Sequence, residues 1–260
     1  MGDVREEGRL SGRQELLLRL NFLLASAFIM IPAMVIKGAG KDGWMSIILA
    51  ALAGIGMTAL YTVLGRRFPG RTLVQYSRLL LGKFAGNLIG LMMMWFALHL
   101  GALVLRNFGD FLAAALMPET PYLVFHVLII LVISLALYGG LEVLGRFNEI
   151  LTWIVVTSIL SLLILTLSIE DFDLKNLLPV LEEGIGPALK TSLLPFTFPF
   201  GETVLFTMLL PYLNKPEEAR KAPIMAMIYA GLLLATITLV VLAVFGVASL
   251  LYLPIRWPGA

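Results

Sequence analysis

The chain has no cysteine in 260 residues, which excludes disulfides and thiolate metal sites and leaves the redox compartment unread. Charge is scarce too: 14% of residues are Asp, Glu, Lys or Arg, against about 25% in a soluble domain. No phosphate-cradling Gly-rich loop, paired-His metal spacing or nucleophile elbow is present, so neither enzymatic activity nor a cofactor or metal is expected. Nothing supports nucleic-acid binding, and a net charge of +2 is too small to indicate a partner. The first residues, MGDVREEGRLSGRQE, lack the small-residue cleavage signature of a signal peptide. Met1-Gly2 is not followed by the Ser or Thr that myristoylation wants.

What is present is apolar: 59% of residues are hydrophobic and the mean hydropathy is +0.93. The apolar runs are too long for barrel strands, which predicts an all-α integral membrane protein. A polar cytoplasmic segment over 1–15 precedes a transmembrane domain over 16–260. Seven spans are predicted, at about 16–36, 44–65, 87–113, 121–140, 147–169, 187–213 and 222–250. Ser11 with Gln14 has the spacing of a cap on the first helix. Between spans 2 and 3, the amphipathic stretch Thr72–Phe84, with Arg71, Arg78 and Lys83, reads either as a surface helix on anionic lipid or as a plain loop helix. Thirteen basic residues of the short loops fall on one side and five on the other, which predicts a cytoplasmic N-terminus.

Span 6 reads PALKTSLLPFTFPFGETVLFTMLLPYL and is built to break. Pro195 and Pro199 each remove a backbone donor and crowd the preceding turn. In lipid, freed backbone groups are tolerated only against protein or a water-lined cavity. Glu202 follows Gly201 in the same run, and a carboxylate at that depth costs roughly 2.5–3.5 kcal/mol. Two readings follow: a Pro-kinked helix whose Glu202 meets a neighbouring side chain, or a discontinuous helix lining a midplane site. Span 1, with Pro32, is the second interrupted span. Breaks in the first and sixth spans are the spacing expected when five-helix units repeat in inverted orientation. The expected breaks are Ala25–Pro32 and Leu194–Glu202, crossing near the midplane.

No basic residue lies within a helical turn of Glu202, so Arg106 of span 3 reaches it, it is protonated, or it faces a ligand amine. His99, Arg106 and Asp110 share one face of span 3, and Arg106 and Asp110 are an i,i+4 pair able to neutralise each other. Glu142, Arg146 and Glu149 bracket the turn before span 5, as an orienting salt bridge or a solvated turn. The backbone around Ala25, Ser26, Ala27 and Phe28 is expected to offer donors to a carboxylate. Phe196, Phe198 and Phe200 read as packing or as the apolar wall of a ligand pocket.

Several segments carry a resemblance. Gly65-Arg66-Arg67-Phe68-Pro69-Gly70-Arg71-Thr72, Leu105-Arg106-Asn107-Phe108-Gly109-Asp110-Phe111 and Gly140-Leu141-Glu142-Val143 with Arg146 and Glu149 are similar, in order, to segments of the spore germination permease family. So are Asp173–Leu181, followed by Gly184 and Pro187, and Pro211–Pro216. That family supplies the B subunits of germinant receptors, within the amino acid–polyamine–organocation superfamily. The resemblance implies a truncated version of a 5+5 inverted-repeat (leucine-transporter-type) fold, with helices 1 and 6 discontinuous. It also implies a nutrient ligand, an amino acid above all, and partners in an A-type membrane protein and a C-type lipoprotein in the spore inner membrane. The chain carries Ala25 and Ala27 where the family often has glycine. Two activities fit the broken helices: a sensor binding a nutrient between helices 1, 3 and 6, or a proton-coupled amino acid transporter working through Glu202. An inactive truncated fragment is the third reading.

Overall fold

A computed structural model describes residues 9–25, 27–169, 171–214 and 218–252; the expected site residue Ser26 lies outside them. Helices dominate, and among the described residues no strand forms. Helix α1 (Gly12–Leu24) starts where the sequence placed its cap: Ser11 Oγ accepts from the Gln14 N–H at 3.2 Å, and Gln14 Oε1 accepts from the Ser11 N–H at 3.0 Å. These two bonds satisfy donors that the first turn would otherwise leave open. At Ala25 the backbone leaves the helical region (φ −21°, ψ −93°), and α2 (Ala27–Ala39) begins two residues later. Pro32 lies inside α2, so span 1 breaks at the start of the expected interval and is helical again before its proline.

Gly40 turns the chain with a positive φ of 54°, and α3 (Gly43–Arg67) returns. Helix α4 (Leu73–Ala115) bends back on itself at Gly82, whose φ of 84° and ψ of 169° interrupt it. Its first limb, capped by Thr72 and Gln75, folds against the second at two glycines. A Cβ on Gly86 would stand 2.5 Å from Arg78 Cα, and one on Gly90 would stand 2.9 Å from Val74 Cγ1. Small residues four apart permit that close approach. The amphipathic stretch read from the sequence is therefore one arm of a hairpin with span 3. Helices α5 (Tyr122–Tyr138) and α6 (Gly140–Thr166) follow.

Span 6 is the most irregular span among the described residues. Helix α7 (Gly186–Thr191) and the single turn α8 (Leu193–Pro195) lead to a loosened turn at Phe196–Phe200 and a tight 3₁₀ stretch at Gly201–Met208. Phe198 is extended (φ −134°, ψ 117°), as Pro199 directly after it predicts. Hydroxyls fasten to the carbonyls along this segment. Ser192 Oγ donates to Leu189 O at 2.7 Å, Thr197 Oγ1 to Leu193 O at 3.0 Å and Leu194 O at 2.9 Å, and Thr203 Oγ1 to Phe200 O at 2.7 Å. Local satisfaction of this kind lets an open helix persist in an apolar setting.

Helix α9 (Glu218–Tyr252) packs at the centre against α1, α2 and α3. The main core joins Leu20, Leu23, Ala27, Ile31, Ile47, Ala51, Phe200, Met227, Ala230 and Leu234. Small residues bring these helices close: a Cβ on Gly231 would stand 2.6 Å from the Ala51 Cβ. Four helical stretches among the described residues are long and apolar enough to cross a bilayer: 27–67, 73–114, 140–166 and 221–247. The seven spans read from the sequence divide differently, because spans 1 and 6 are broken and α5 has only 17 residues.

Candidate functional site

The two broken spans pack on each other. Edge-on rings of Phe22 and Phe206 meet at 5.2 Å, and a Cβ on Gly38 would stand 2.5 Å from the Thr191 hydroxyl oxygen. Beside them lies a cavity of about 380 Å³, lined by Met30 of α2, by Leu100, Leu103, Val104, Arg106, Asn107 and Asp110 of α4, and by Phe198 and Glu202 of the broken span. Its volume is at the small end of ligand pockets, which run from about 300 to 1,000 Å³. Helical geometry puts the α4 residues on one wall, since they recur three and four apart. Phe198, packed against the main core, lines the cavity with Glu202 of the 3₁₀ stretch, which is 9% exposed.

Of the expected site residues, Phe198, Glu202, Arg106 and Asp110 come together here. Arg106 Nε stands 3.7 Å from Asp110 Oδ2, so the i,i+4 pair forms. Asn107 Nδ2 reaches Met30 Sδ at 3.8 Å and ties the α4 wall to α2. The others lie elsewhere. Ala27 and Phe200 are each 1% exposed in the main core, with Phe28 and Phe196 packed against it. Ala25 caps α1, and its N–H donates to Asn21 O at 2.8 Å. Gly201 is required by the tight turn, because a Cβ there would stand 2.9 Å from Phe196 O. His99 is exposed and stacks on Trp95 at 6.2 Å. Arg146 pairs with Glu142 on the surface, while Glu149 Oε1 faces Arg13 Nε of α1 at 3.8 Å.

Three polar features escaped sequence reasoning. Arg19 and Glu15 are a buried pair on α1, 2% and 1% exposed, with Arg19 Nε donating to Glu15 Oε1 at 2.8 Å. The same guanidinium lies 4.4 Å from the Phe206 ring centroid and reaches the Thr203 carbonyl at 3.5 Å, so it binds the residue after Glu202. Asn21 Nδ2 joins Asn148 Oδ1 at 2.8 Å and Thr152 Oγ1 at 2.9 Å, fastening α1 to α6. Between the turn after α2 and the segment before α7, both Asp42 oxygens accept from the Leu181 N–H, at 2.9 and 3.1 Å. That bond holds Leu181 in its positive-φ conformation (57°), a strained one for a non-glycine residue. The i,i+4 spacing of Glu15 and Arg19 was the available signal for the first; the other two join segments far apart in sequence.

Comparison with known proteins adds to this geometry. A family profile described as "Spore germination protein" matches residues 9–258. Spore germination protein KB of Bacillus subtilis (strain 168) is 30% identical over 231 residues, covering 88% of this chain and 61% of that protein. Spore germination protein YndE of the same organism is 28% identical over 259 residues, covering 96% of this chain and 68% of the relative. Spore germination protein A2 is 29% identical over 191 residues, 72% of this chain and 51% of its own length. The chain thus spans between about half and two thirds of the length of these relatives. No solved structure matches it.

Proposed function

This chain belongs to the spore germination permease family, and from that premise we propose that it is the membrane subunit of a spore germinant receptor that binds a nutrient in the cavity between spans 1, 3 and 6. The observation that carries the reading is the cavity itself: its walls are the two interrupted spans and α4, and it holds both charge signs in an apolar frame. Paired breaks in spans 1 and 6 support the inverted-repeat relation. Occupancy would pass to an A-type membrane protein and a C-type lipoprotein in the spore inner membrane, with this chain's N-terminus in the cytoplasm.

Binding of a panel of L-amino acids to the purified chain in nanodiscs tests this. Val104→Trp, which fills the cavity from a half-open position on α4, is expected to abolish binding while leaving the protein folded. Unchanged binding in that variant contradicts the site. Glu202 favours one alternative, a proton-coupled transporter, because a carboxylate buried in the cavity wall is where a proton would travel with substrate. Amino-acid-dependent proton flux in proteoliposomes that vanishes in Glu202→Gln would establish transport; binding without flux supports the sensor.

A further inference from the structure

At one end of the bundle, cations gather with no acid to meet them. Arg66 and Arg67 close α3, Arg71 follows in the turn, and Arg78 and Lys83 flank the Gly82 bend of α4. The sequence holds no Asp or Glu between Asp42 and Asp110. These five basic residues are exposed, and among the described residues none of them makes an ion pair. This end also carries the N-terminal segment: a Cβ on Gly65 would stand 2.7 Å from Leu210 Cδ1, and Leu210 packs against Leu10 and Leu213. Apolar side chains stand beside the cations. Leu79 and Leu80 are each more than half exposed, and Phe84 is 86% exposed. From Lys83 to Ala115 the second limb of α4 rises about 50 Å at about 1.5 Å per residue, against a hydrocarbon core of about 30 Å. Even a tilt of about 40° leaves it some 38 Å tall, so its ends reach the headgroup regions. The first limb is held at the level of the Lys83 end, because Arg78 lies against Gly86 and Val74 against Gly90.

We propose that the α4 hairpin is a docking surface for anionic phospholipid, with Leu79, Leu80 and Phe84 in the acyl boundary of the nearer leaflet and the five cations on its headgroup phosphates. A lipid surface satisfies both sets of groups at once, since it places apolar side chains below and cations at the phosphates. Anionic lipid is selected because unpaired cations gain from a negatively charged surface, about fivefold in partition for each Lys or Arg. Gly82 makes the arrangement possible: its φ of 84° folds the basic limb back on span 3, a conformation that side-chain-bearing residues rarely adopt. Of the two readings the sequence allowed for Thr72–Phe84, this takes the lipid one. It is independent of what the cavity binds.

The test uses the whole chain with a single cysteine, Leu80→Cys, carrying a polarity-sensitive bimane. Nanodiscs holding one chain each are made of phosphatidylcholine alone or with added phosphatidylglycerol. Phosphatidylglycerol is expected to shift the emission to the blue and to cut quenching by aqueous acrylamide severalfold. The same label at Met117→Cys, exposed in the turn after the other end of α4, should not respond. Arg78→Gln/Lys83→Gln is expected to raise the share of phosphatidylglycerol needed for half the shift by at least about fivefold. Equal emission and quenching at position 80 in the two bilayers overturns the proposal, and this comparison needs no charge variant to fold. An equal response at position 117 overturns it as well, because the effect then belongs to the bilayer at large. Inorganic phosphate that reproduces the shift in phosphatidylcholine nanodiscs would show that a free anion suffices, and an unchanged requirement in the double variant would remove the cations from the site; either result overturns it.

Discussion

Arg19 sits in the first half of span 1 with its charge spent entirely inside the protein: on Glu15, on the Thr203 carbonyl and over the Phe206 ring. A pair this buried contributes little net stability, because desolvating two ions opposes their attraction, but breaking it strands the survivor. Arg19→Met is therefore expected to destabilise the chain by about 3–5 kcal/mol. Glu15→Leu/Arg19→Met, which removes both charges, should recover most of that loss in a denaturant titration of detergent-solubilised protein. Equal losses in the single and double variants would contradict the pairing. Glu202 could be picked out from sequence because no base is near it in the chain. Arg19 offers only its i,i+4 spacing to Glu15, and an arginine near the start of a span otherwise reads as a loop charge on the positive side. Only the fold reveals that Phe206 and Thr203 come down to meet it.

At the scale of elements, the prolines announced the breaks but not how the segments are held open. Pro195 and Pro199 located the interruption of span 6, and the tandem of Ser192, Thr197 and Thr203 hydroxyls that takes the carbonyls became visible only in three dimensions. Span 1 breaks at Ala25 and not at Pro32, which stands six residues into α2 and removes the bond to the Phe28 carbonyl without ending the helix. The seat of the broken segment is Gly54 on α3, where a Cβ would stand 3.1 Å from the Phe200 Cβ and 3.6 Å from the Met227 Sδ. Gly54→Leu overpacks that seat and is expected to cost about 1–3 kcal/mol. Gly56→Leu, two residues on and open to its surroundings within 4 Å, should be neutral or slightly stabilising in the same helix. Similar melting temperatures for the two variants would show that Phe200 is not seated there.

Across the whole molecule, the broken spans are tied at both ends and open beside the middle. On the N-terminal side, Leu10 pairs with the end of span 6 through Leu10 N to Tyr212 O at 2.8 Å and Asn214 N to Leu10 O at 2.9 Å. On the other side Asp42 holds Leu181, Lys41 donates to the Leu178 carbonyl, and the Asp173 N–H reaches Ala243 O of α9 at 3.0 Å. Composition alone was enough to predict a helical membrane protein. The meeting of spans 1 and 6 was predicted from the positions of two breaks, whereas span 3 entered only with the reading of a nutrient held between helices 1, 3 and 6. Which side chains share the cavity was legible only in part: Arg106, Asp110, Phe198 and Glu202 carry chemistry that draws attention, whereas Met30, Leu100, Leu103 and Val104 are ordinary residues of apolar spans.

The chain's lack of cysteine offers the most direct test of the central claim, that the cavity between spans 1, 3 and 6 is the nutrient site. A single cysteine at Val104→Cys is a unique thiol on the cavity wall, and one at Leu81→Cys is exposed beside the Gly82 bend, outside the cavity. Maleimide labelling of both in nanodiscs, with and without a saturating L-amino acid, is the measurement. The account predicts that the amino acid slows labelling at position 104 severalfold and leaves position 81 unchanged. Labelling at 104 that stays constant while the same amino acid demonstrably binds would contradict it.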